Sequence, residues 1–302
     1  MVKNKKVSVI IPTFKRNDSL KKSIKSVLSQ TYENFEIIVV DDNYEVQYSE
    51  NVNKIIDELN DNRIIYLKAE EHINGAAARN YGFNRSSGEM ICFLDDDDEF
   101  YADKLLEQVN CLSTIDKAYG ATACLWNRYE KDKMVDKGVL YTEEQMHRRV
   151  LSMDVKILLP TVMFKRSELE KTKLFDVSLK RHQDVQLFLD FLSVSNIYVM
   201  DKTLVRINTD SKINKLTGEE LIELKKYFFE IMYRHISIYD NKTQNEIYSK
   251  HILEIAKVYF KEKNMKKFIK YLFIAKPSFK ELCIFLKEIF KKVILVLRTK
   301  IS

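Results

Sequence analysis

Glycine and proline are scarce in this chain, with six and three among 302 residues. So few chain breakers argue against flexible linkers and low-complexity segments, and no internal repeat is visible. The four cysteines, Cys92, Cys111, Cys124 and Cys283, are scattered without a CxxC spacing. That pattern argues against a disulfide framework or a zinc site and fits a reducing compartment. No run of about 18 uncharged apolar residues occurs, so no helix is expected to span a membrane. The basic start, residues 1–6, precedes only about five apolar residues before Pro12, too few for the core of a signal peptide. Neither GxGxxG nor GxxxxGKS/T is present, so neither a dinucleotide fold nor a P-loop is supported.

What is present is globular: 45% hydrophobic, 31% charged and 11% aromatic residues, enough to bury a full-sized core. The net charge of +6 conceals an asymmetry. Residues 211–302 hold 20 Lys/Arg against 10 Asp/Glu, a net +10, whereas residues 1–210 hold 30 against 34, a net −4. A near-neutral body with a basic tail predicts an anionic partner for the tail.

Apolar runs and helical periodicities alternate over the first half: strands at Val7–Ile11, Phe35–Val40, Arg63–Leu67 and Met90–Leu94, and helices near Asp18–Leu28, Ser49–Leu59 and Gly75–Arg85. Asp18 is a natural N-cap for the first helix. Such alternation predicts an α/β fold, a mostly parallel sheet with flanking helices. A mixed stretch follows: helix Ala102–Leu112, strands Tyr119–Tyr129 and Leu158–Phe164, helix Asp184–Ser193, strand Ile197–Arg206. Beyond about residue 215 the pattern is helical, which divides the chain into a sheet domain, 1–212, and a basic C-terminal helical region, 213–302.

Five consecutive acidic residues, Asp95 to Glu99, directly follow the strand ending at Leu94. Crowded carboxylates repel and raise one another's pKa unless a cation sits among them, and hard oxygen donors suit Mg²⁺ or Mn²⁺. Thr13-Phe14-Lys15-Arg16, Asp41-Asp42-Asn43 and Asp95–Asp98 all lie just past strands. A parallel sheet gathers such ends at one crevice, where open α/β sheets bind ligands.

Four segments, Val7–Phe14, Ile38–Asp42, Asn74–Asn80 and Phe93–Asp98, resemble in order and spacing the family 2 glycosyltransferases, which have the Rossmann-like GT-A fold. The resemblance implies inverting transfer of a sugar from a nucleotide diphosphate donor, usually UDP, with Mn²⁺ or Mg²⁺. It puts Pro12, Thr13, Phe14 and Arg16 beside the nucleotide, Asp41 on the base with Asp42 as its neighbour, and Arg79 and Asn80 beneath the nucleotide and the metal loop. Asp95 and Asp97 stand as the DxD pair, Asp97 as the metal ligand with Asp95 the second choice and nearer the ribose; Asp96 belongs to the same nucleotide-sugar site. A register of Asp96 and Asp98 also remains open. The chain departs from the family in having Asn43-Tyr44 after the second motif, and in Gln183 where the family's "ED" motif has Glu. Asp184, the retained second acid, is implied as the catalytic base. His182, Ser211 and Lys212 are implied as diphosphate or loop contacts, and Leu159–Arg166 as the acceptor-side strand.

The last helix, Lys280–Arg298, places Lys280, Lys287, Lys291, Lys292 and Arg298 on one arc and Phe285, Ile289, Phe290 and Val293 on the other. It suits peripheral contact with a membrane interface, or packing on the catalytic domain. Family and tail together predict a lipid-linked glycan acceptor in bacterial surface polysaccharide synthesis, at the cytoplasmic face of the cell membrane. Two other readings fit less well. A metal-dependent nucleotidyltransferase lacks its Gly-rich, basic phosphate loop; a non-catalytic membrane or nucleic-acid binder driven by the basic half is opposed, for nucleic acid, by the −4 charge of the motif-bearing domain.

Overall fold

A computed structural model of the chain describes residues 4–16, 18–179, 181–209, 216–287 and 289. The chain forms two compact units, Met1–Val150 with Lys156–Ile213, and Leu151–Val155 with Asn214–Ser302.

The first unit begins with β1 (Val7–Thr13), α1 (Asp18–Leu28), β2 (Phe35–Asp41), α2 (Val46–Leu59), β3 (Ile64–Lys68), α3 (Asn74–Arg85) and β4 (Met90–Phe93). It continues with β5 (Glu99–Phe100), α4 (Lys104–Thr114), β6 (Tyr119–Glu130), β7 (Lys133–Lys137), α5 (Met146–Leu151), a 3-10 turn at Leu159–Thr161, β8 (Val162–Lys165), α6 (Arg166–Leu169), α7 (Gln183–Leu192) and β9 (Asn196–Asn208). The strands form one sheet in the order β3-β2-β1-β4-β8-β6-β9-β5, with β7 paired to β6. The pairs β1–β2, β1–β4, β2–β3 and β6–β9 are parallel, whereas β8 runs antiparallel to both β4 and β6. The sheet is thus mixed, mostly parallel, and flanked by helices.

Continuous apolar sequence explains the central strands: β2 and β4 are buried at every position, as a sheet covered on both faces requires. Helix α1 buries Leu20, Ile24 and Val27, the i, i+4, i+7 stripe of an amphipathic helix. These side chains join Val9, Ile37, Val39 and Cys92 in the core. Helix α3 lies against β1 and β2, and its close approach depends on Gly82. A Cβ there would stand 2.6 Å from Cγ2 of Ile10 and 3.0 Å from Cγ2 of Val40.

Several expectations shift by one to three residues, and two change in kind. Asp18, expected as an N-cap, is the first helical residue. The single strand expected over Leu158–Phe164 splits at Pro160, which lacks the N–H a ladder needs, into a 3-10 turn and β8. The β6–β7 hairpin was not anticipated. Its turn uses Lys131 and Asp132 at φ 47° and 63°, without the Asn-Gly or Asp-Gly that marks such turns in sequence.

The second unit contains α8 (Gly218–Ile236), α9 (Asn241–Lys261) and α10 (Met265–Ala275), followed by helical residues 279–287. A capping box, Thr217 with Glu220, starts α8, and Asp240 caps α9. The apolar core of this unit joins Leu253, Ala256, Tyr259, Phe268, Ala275 and Phe285. No helix of the described residues is long and apolar enough to cross a membrane. Of the expected helix Lys280–Arg298, residues 280–287 are helical, and residue 288 and those beyond 289 lie outside the described residues.

Gly82→Ala should lower stability by about 1–3 kcal/mol, the usual effect of forcing a methyl into a filled core. The midpoint of denaturant unfolding measures it; an unchanged midpoint would mean that α3 can move off the sheet without loss.

Candidate active site

Strand register assembles the site. Thr13 pairs with Asp41 at the ends of β1 and β2, and Leu94 N–H donates to the Ile10 carbonyl at 3.0 Å, which carries the acidic segment alongside the end of β1. A turn closed by Asp98 N–H on the Asp95 carbonyl, 3.1 Å, divides the acids into two pairs. The Asp95 and Asp97 side chains are 38% and 34% exposed, against 12% for Asp96 and 5% for residue Asp98.

Each inward acid has an assigned donor. Thr13 Oγ1 donates to Asp96 Oδ2 at 2.8 Å, and Asn208 N–H donates to Asp98 Oδ1 at 2.9 Å. Burial pushes Asp96 up to about 7 against the Thr13 bond, with the Asp97 charge adding to the rise. Burial also holds Asp98 well above the usual carboxylate range. Asn208 Nδ2 further donates to the Asp97 carbonyl and to Glu99, so the end of β9 clamps the acidic turn. The outward acids meet arginines: Asp97 pairs with Arg16 at 3.1 Å and Asp95 with Arg79 at 2.5 Å.

Two cavities share the Arg79–Asp95 pair. The first, of about 440 Å³, is lined by Pro12, Thr13, Phe14, Arg16, Asp42, His72, Asn74, Gly75, Ala78, Asp96 and Asp97 as well. Its apolar end is a ring cluster in which Phe14 stacks on His72, centroids 4.4 Å apart, with Tyr44 at 6.3 Å from Phe14. Asp42 positions that cluster by pairing with His72 Nδ1 at 2.9 Å and accepting from Ile73 N–H at 2.7 Å. Gly75 lets Arg79 cross close above it, since a Cβ would lie 3.2 Å from Arg79 Nη1 and the guanidinium would have to shift slightly.

The second cavity, of about 260 Å³, adds Asp98, Arg128, Leu158, Leu159, Pro160, Arg181, His182, Gln183, Asp184 and Ile207. His182 takes a left-handed backbone, φ 61°, at the N-cap of α7, an uncommon conformation for a non-glycine residue and one that clusters at functional sites. Asp184 is the second residue of α7. Burial raises its pKa, opposed by the Val185 N–H, which donates at 2.9 Å, and by the charge of Arg79. Gln183 donates to the Leu179 carbonyl at 2.7 Å and accepts from Arg79 Nη1 at 3.4 Å, so the neutral replacement links α7 to α3.

Two expected site residues face inward. Asp41 is fully buried, its oxygens engaged by Tyr66 Oη at 2.7 Å, by Asn43 N–H at 2.9 Å and by the Lys68 ammonium at 3.4 Å; Asp42, not Asp41, lines the cavity. Asn80 donates to the Phe175 carbonyl at 2.8 Å and accepts from the Phe175 N–H at 3.1 Å, which braces the chain before α7 instead of facing the crevice. Ser211 and Lys212 lie outside the described residues.

The sequence profile of Glycosyl transferase family 2 matches residues 8–159, half of the chain, including Arg79 and the acidic turn. The chain belongs to this family. The amylovoran biosynthesis glycosyltransferase AmsB of Erwinia amylovora is 25% identical over 245 residues, 76% of this chain and 78% of AmsB. The UDP-Glc:alpha-D-GlcNAc-diphosphoundecaprenol beta-1,3-glucosyltransferase WfgD of Escherichia coli is 28% identical over 222 residues, 73% of this chain and 83% of WfgD. Some longer relatives are matched over 34% of their length. Among solved structures, the mannosyltransferase PcManGT from Pyrobaculum calidifontis, in complex with GDP-Man and Mn²⁺, matches 95% of this chain and 80% of its own at a TM-score of 0.60 and 14% identity. That likeness is one of fold, and the sheet unit is GT-A-like.

Within this family 2 enzyme, the residues that the motifs did not announce are His72, Arg128 and Arg181. His72 follows β3 in a polar loop with no periodic signal; its ring is recognisable only against Phe14. Arg128 stacks on Trp126 with its guanidinium 4.9 Å from the ring centroid, and its buried Nε has no hydrogen-bond partner among the described residues. In sequence it is one polar residue in an alternating strand.

The donor set can be tested against a divalent ion. Among the described residues no cluster of three or more His, Cys, Asp or Glu side chains is arranged to hold a metal alone. The outward oxygens of Asp97 and Asp95 fit a hard ion that takes its remaining ligands from phosphates and water.

Tyr66→Phe removes a donor from a buried carboxylate and should destabilise the fold by about 1.5–3 kcal/mol, as for hydrogen bonds to charged groups. Burial works against the Asp41 charge, yet the Tyr66 and Asn43 bonds hold its pKa below the usual value. The stability this contributes is present above the unfolded-state pKa and is lost as pH falls through the depressed folded one. In Tyr66→Phe the folded pKa rises, so the variant should lose less on acidification than the parent. Parallel melting midpoints from pH 7 to 3 would refute this role for Tyr66.

Proposed function

We propose that this family 2 glycosyltransferase moves a sugar, with inversion, from a UDP-sugar to a hydroxyl of a lipid-linked glycan in bacterial surface polysaccharide assembly. The observation that carries the reading is the pair of cavities joined at Arg79–Asp95, with a stacking and acidic side and a side holding Asp184. The uridine lies against Phe14 and His72, and the diphosphate lies over Arg79 and Arg16. AmsB, named for amylovoran biosynthesis, supports polysaccharide assembly, and WfgD, named for UDP-Glc and a diphosphoundecaprenol acceptor, supports both the UDP donor and the lipid-linked acceptor.

The acceptor enters the second cavity. Asp184 takes the proton of its hydroxyl while the oxygen attacks the anomeric carbon from the face opposite UDP; the bond to the diphosphate breaks and UDP leaves. Burial favours this role, because a carboxyl with a raised pKa is a stronger base than an exposed one. Arg128 and Arg181 give the cavity a cationic wall that suits a phosphate-bearing acceptor. Mn²⁺ or Mg²⁺ held by Asp97, with Asp95 second, would offset the charge that develops on the leaving diphosphate. The +10 helical region supports a peripheral position on the cytoplasmic face of the membrane.

A hydrolysis screen of UDP-glucose, UDP-galactose, UDP-GlcNAc, UDP-GalNAc and GDP-mannose with Mn²⁺ tests the class. Metal-dependent UDP release from one donor is expected; no turnover together with no UDP binding in calorimetry would overturn the reading. Asp97→Ala should abolish the Mn²⁺ dependence of UDP binding. Asp184→Asn should lower transfer kcat by about 10²- to 10⁴-fold with donor KM little changed. Because the raised carboxyl must be ionised to act, kcat/KM should fall as pH drops through a value above the ordinary Asp range. A variant within a few-fold of the parent would remove Asp184 from the base role.

A further inference from the structure

Helix α10 carries a second apolar stripe beside the one it buries. Phe268 and Ala275 face the core of the helical unit, yet Met265, Ile269 and Phe273, spaced at i, i+4 and i+8, are 48%, 48% and 77% exposed. At about 100° per residue they form one stripe. Lys266 and Lys270 follow on the next arc of the same wheel, and neither has an acidic partner among the described residues. Past the helix end Ser278 and Glu281 form a reciprocal capping box, which starts the next helix at Phe279, 84% exposed. Lys276 and Lys280 flank that turn.

We propose that this face of α10, with Phe279, is where the protein lies on an anionic lipid bilayer, its aromatic and aliphatic side chains entering the headgroup boundary and its lysines meeting the phosphates. An exposed apolar stripe on an already packed helix needs a cover, and the lysines specify one of negative charge. A second copy of the chain fits poorly, because a two-fold interface would set the same lysines against each other. The helix is too short and too charged to cross a bilayer, so it lies in the interface plane. The face differs from the one expected in sequence, on residues 280–298, and lies earlier in the chain. A lipid-linked acceptor, as proposed above, would give such docking its purpose. Vesicle binding, however, is read without donor or acceptor, so either reading can fail alone.

The test uses full-length protein and flotation with vesicles of phosphatidylcholine alone or mixed with phosphatidylglycerol. Binding only to the anionic vesicles, weakened by salt, is expected. Ile269→Asp with Phe273→Asp should lower the partition coefficient about tenfold or more, and the exposed positions should leave the melting midpoint unchanged. Lys266→Glu with Lys270→Glu should act in the same direction without removing apolar area. No binding of the parent to anionic vesicles overturns the proposal. So does equal binding by the apolar variant, or a parent dimer by light scattering that the variant abolishes while vesicle binding persists.

Discussion

Four aspartates in a row at the end of one strand are the constraint around which the sheet unit is organised. Left together in a partly dry crevice, their charges would repel over a few ångströms and each would shift towards its neutral form. The chain resolves this with a turn rather than with an extended segment. The turn sends Asp96 and Asp98 inward to Thr13 and Asn208, and sends Asp95 and Asp97 outward to Arg79 and Arg16. Donors from β1, β9, α3 and the segment after β1 are all needed, so the acidic turn ties together elements far apart in sequence. Its outward carboxylates are paired with guanidinium groups that line the crevice with them.

Around this turn sits a layer of polar side chains that touch no cavity and yet fix those that do. Asn80 holds the Phe175 backbone by both of its polar ends. Gln186 accepts from Asp176 N–H at 2.8 Å and donates to the Leu174 carbonyl at 3.0 Å, which pins the same segment from α7. Asp41 acts through Asn43 and Tyr66. A buried amide or carboxylate without partners is destabilising, so each of these residues is also a constraint on the loop it binds. The segment leading to His182 and Asp184 is therefore positioned from two directions.

The sheet and its crevice were legible in the sequence because apolar runs such as Val7–Ile11 and Phe35–Val40 can only be buried strands, and because strand ends in a parallel sheet converge. Arg16 and Asp95–Asp97 follow from that geometry, whereas Arg79, inside α3, came only from the family resemblance. What escaped reading depends on partners distant in sequence. Nothing local distinguishes an Asn80 that braces Phe175 from one that faces a nucleotide, and Asp41 reads as an open ligand until Tyr66 and Asn43 are placed on it. The β7 strand, exposed at all five positions, carries neither an apolar pattern nor a glycine turn. His72 becomes meaningful only once β2 and β3 bring it to Phe14 and Asp42.

Gln183 stands where a second carboxylate would have been expected, and the charges around Arg79 give the exchange a consequence. With Glu at that position the Arg79 guanidinium would lie between two carboxylates, Asp95 and the new one, and the group of three would carry a net negative charge. With Gln, Arg79 keeps a single acidic partner, while its buried Nε has no hydrogen-bond acceptor among the described residues. The amide still fixes the start of α7, because its own N–H bonds to Leu179 and its oxygen accepts from Arg79, roles a carboxylate would fill only in part. The substitution therefore preserves the link between α3 and α7 and leaves the Arg79–Asp95 pair balanced, with no further negative charge at the junction of the two cavities. A diphosphate, as proposed for the donor, would meet less repulsion there than beside a Glu, and Asp184 stays the one acid of the Gln183–Asp184 pair.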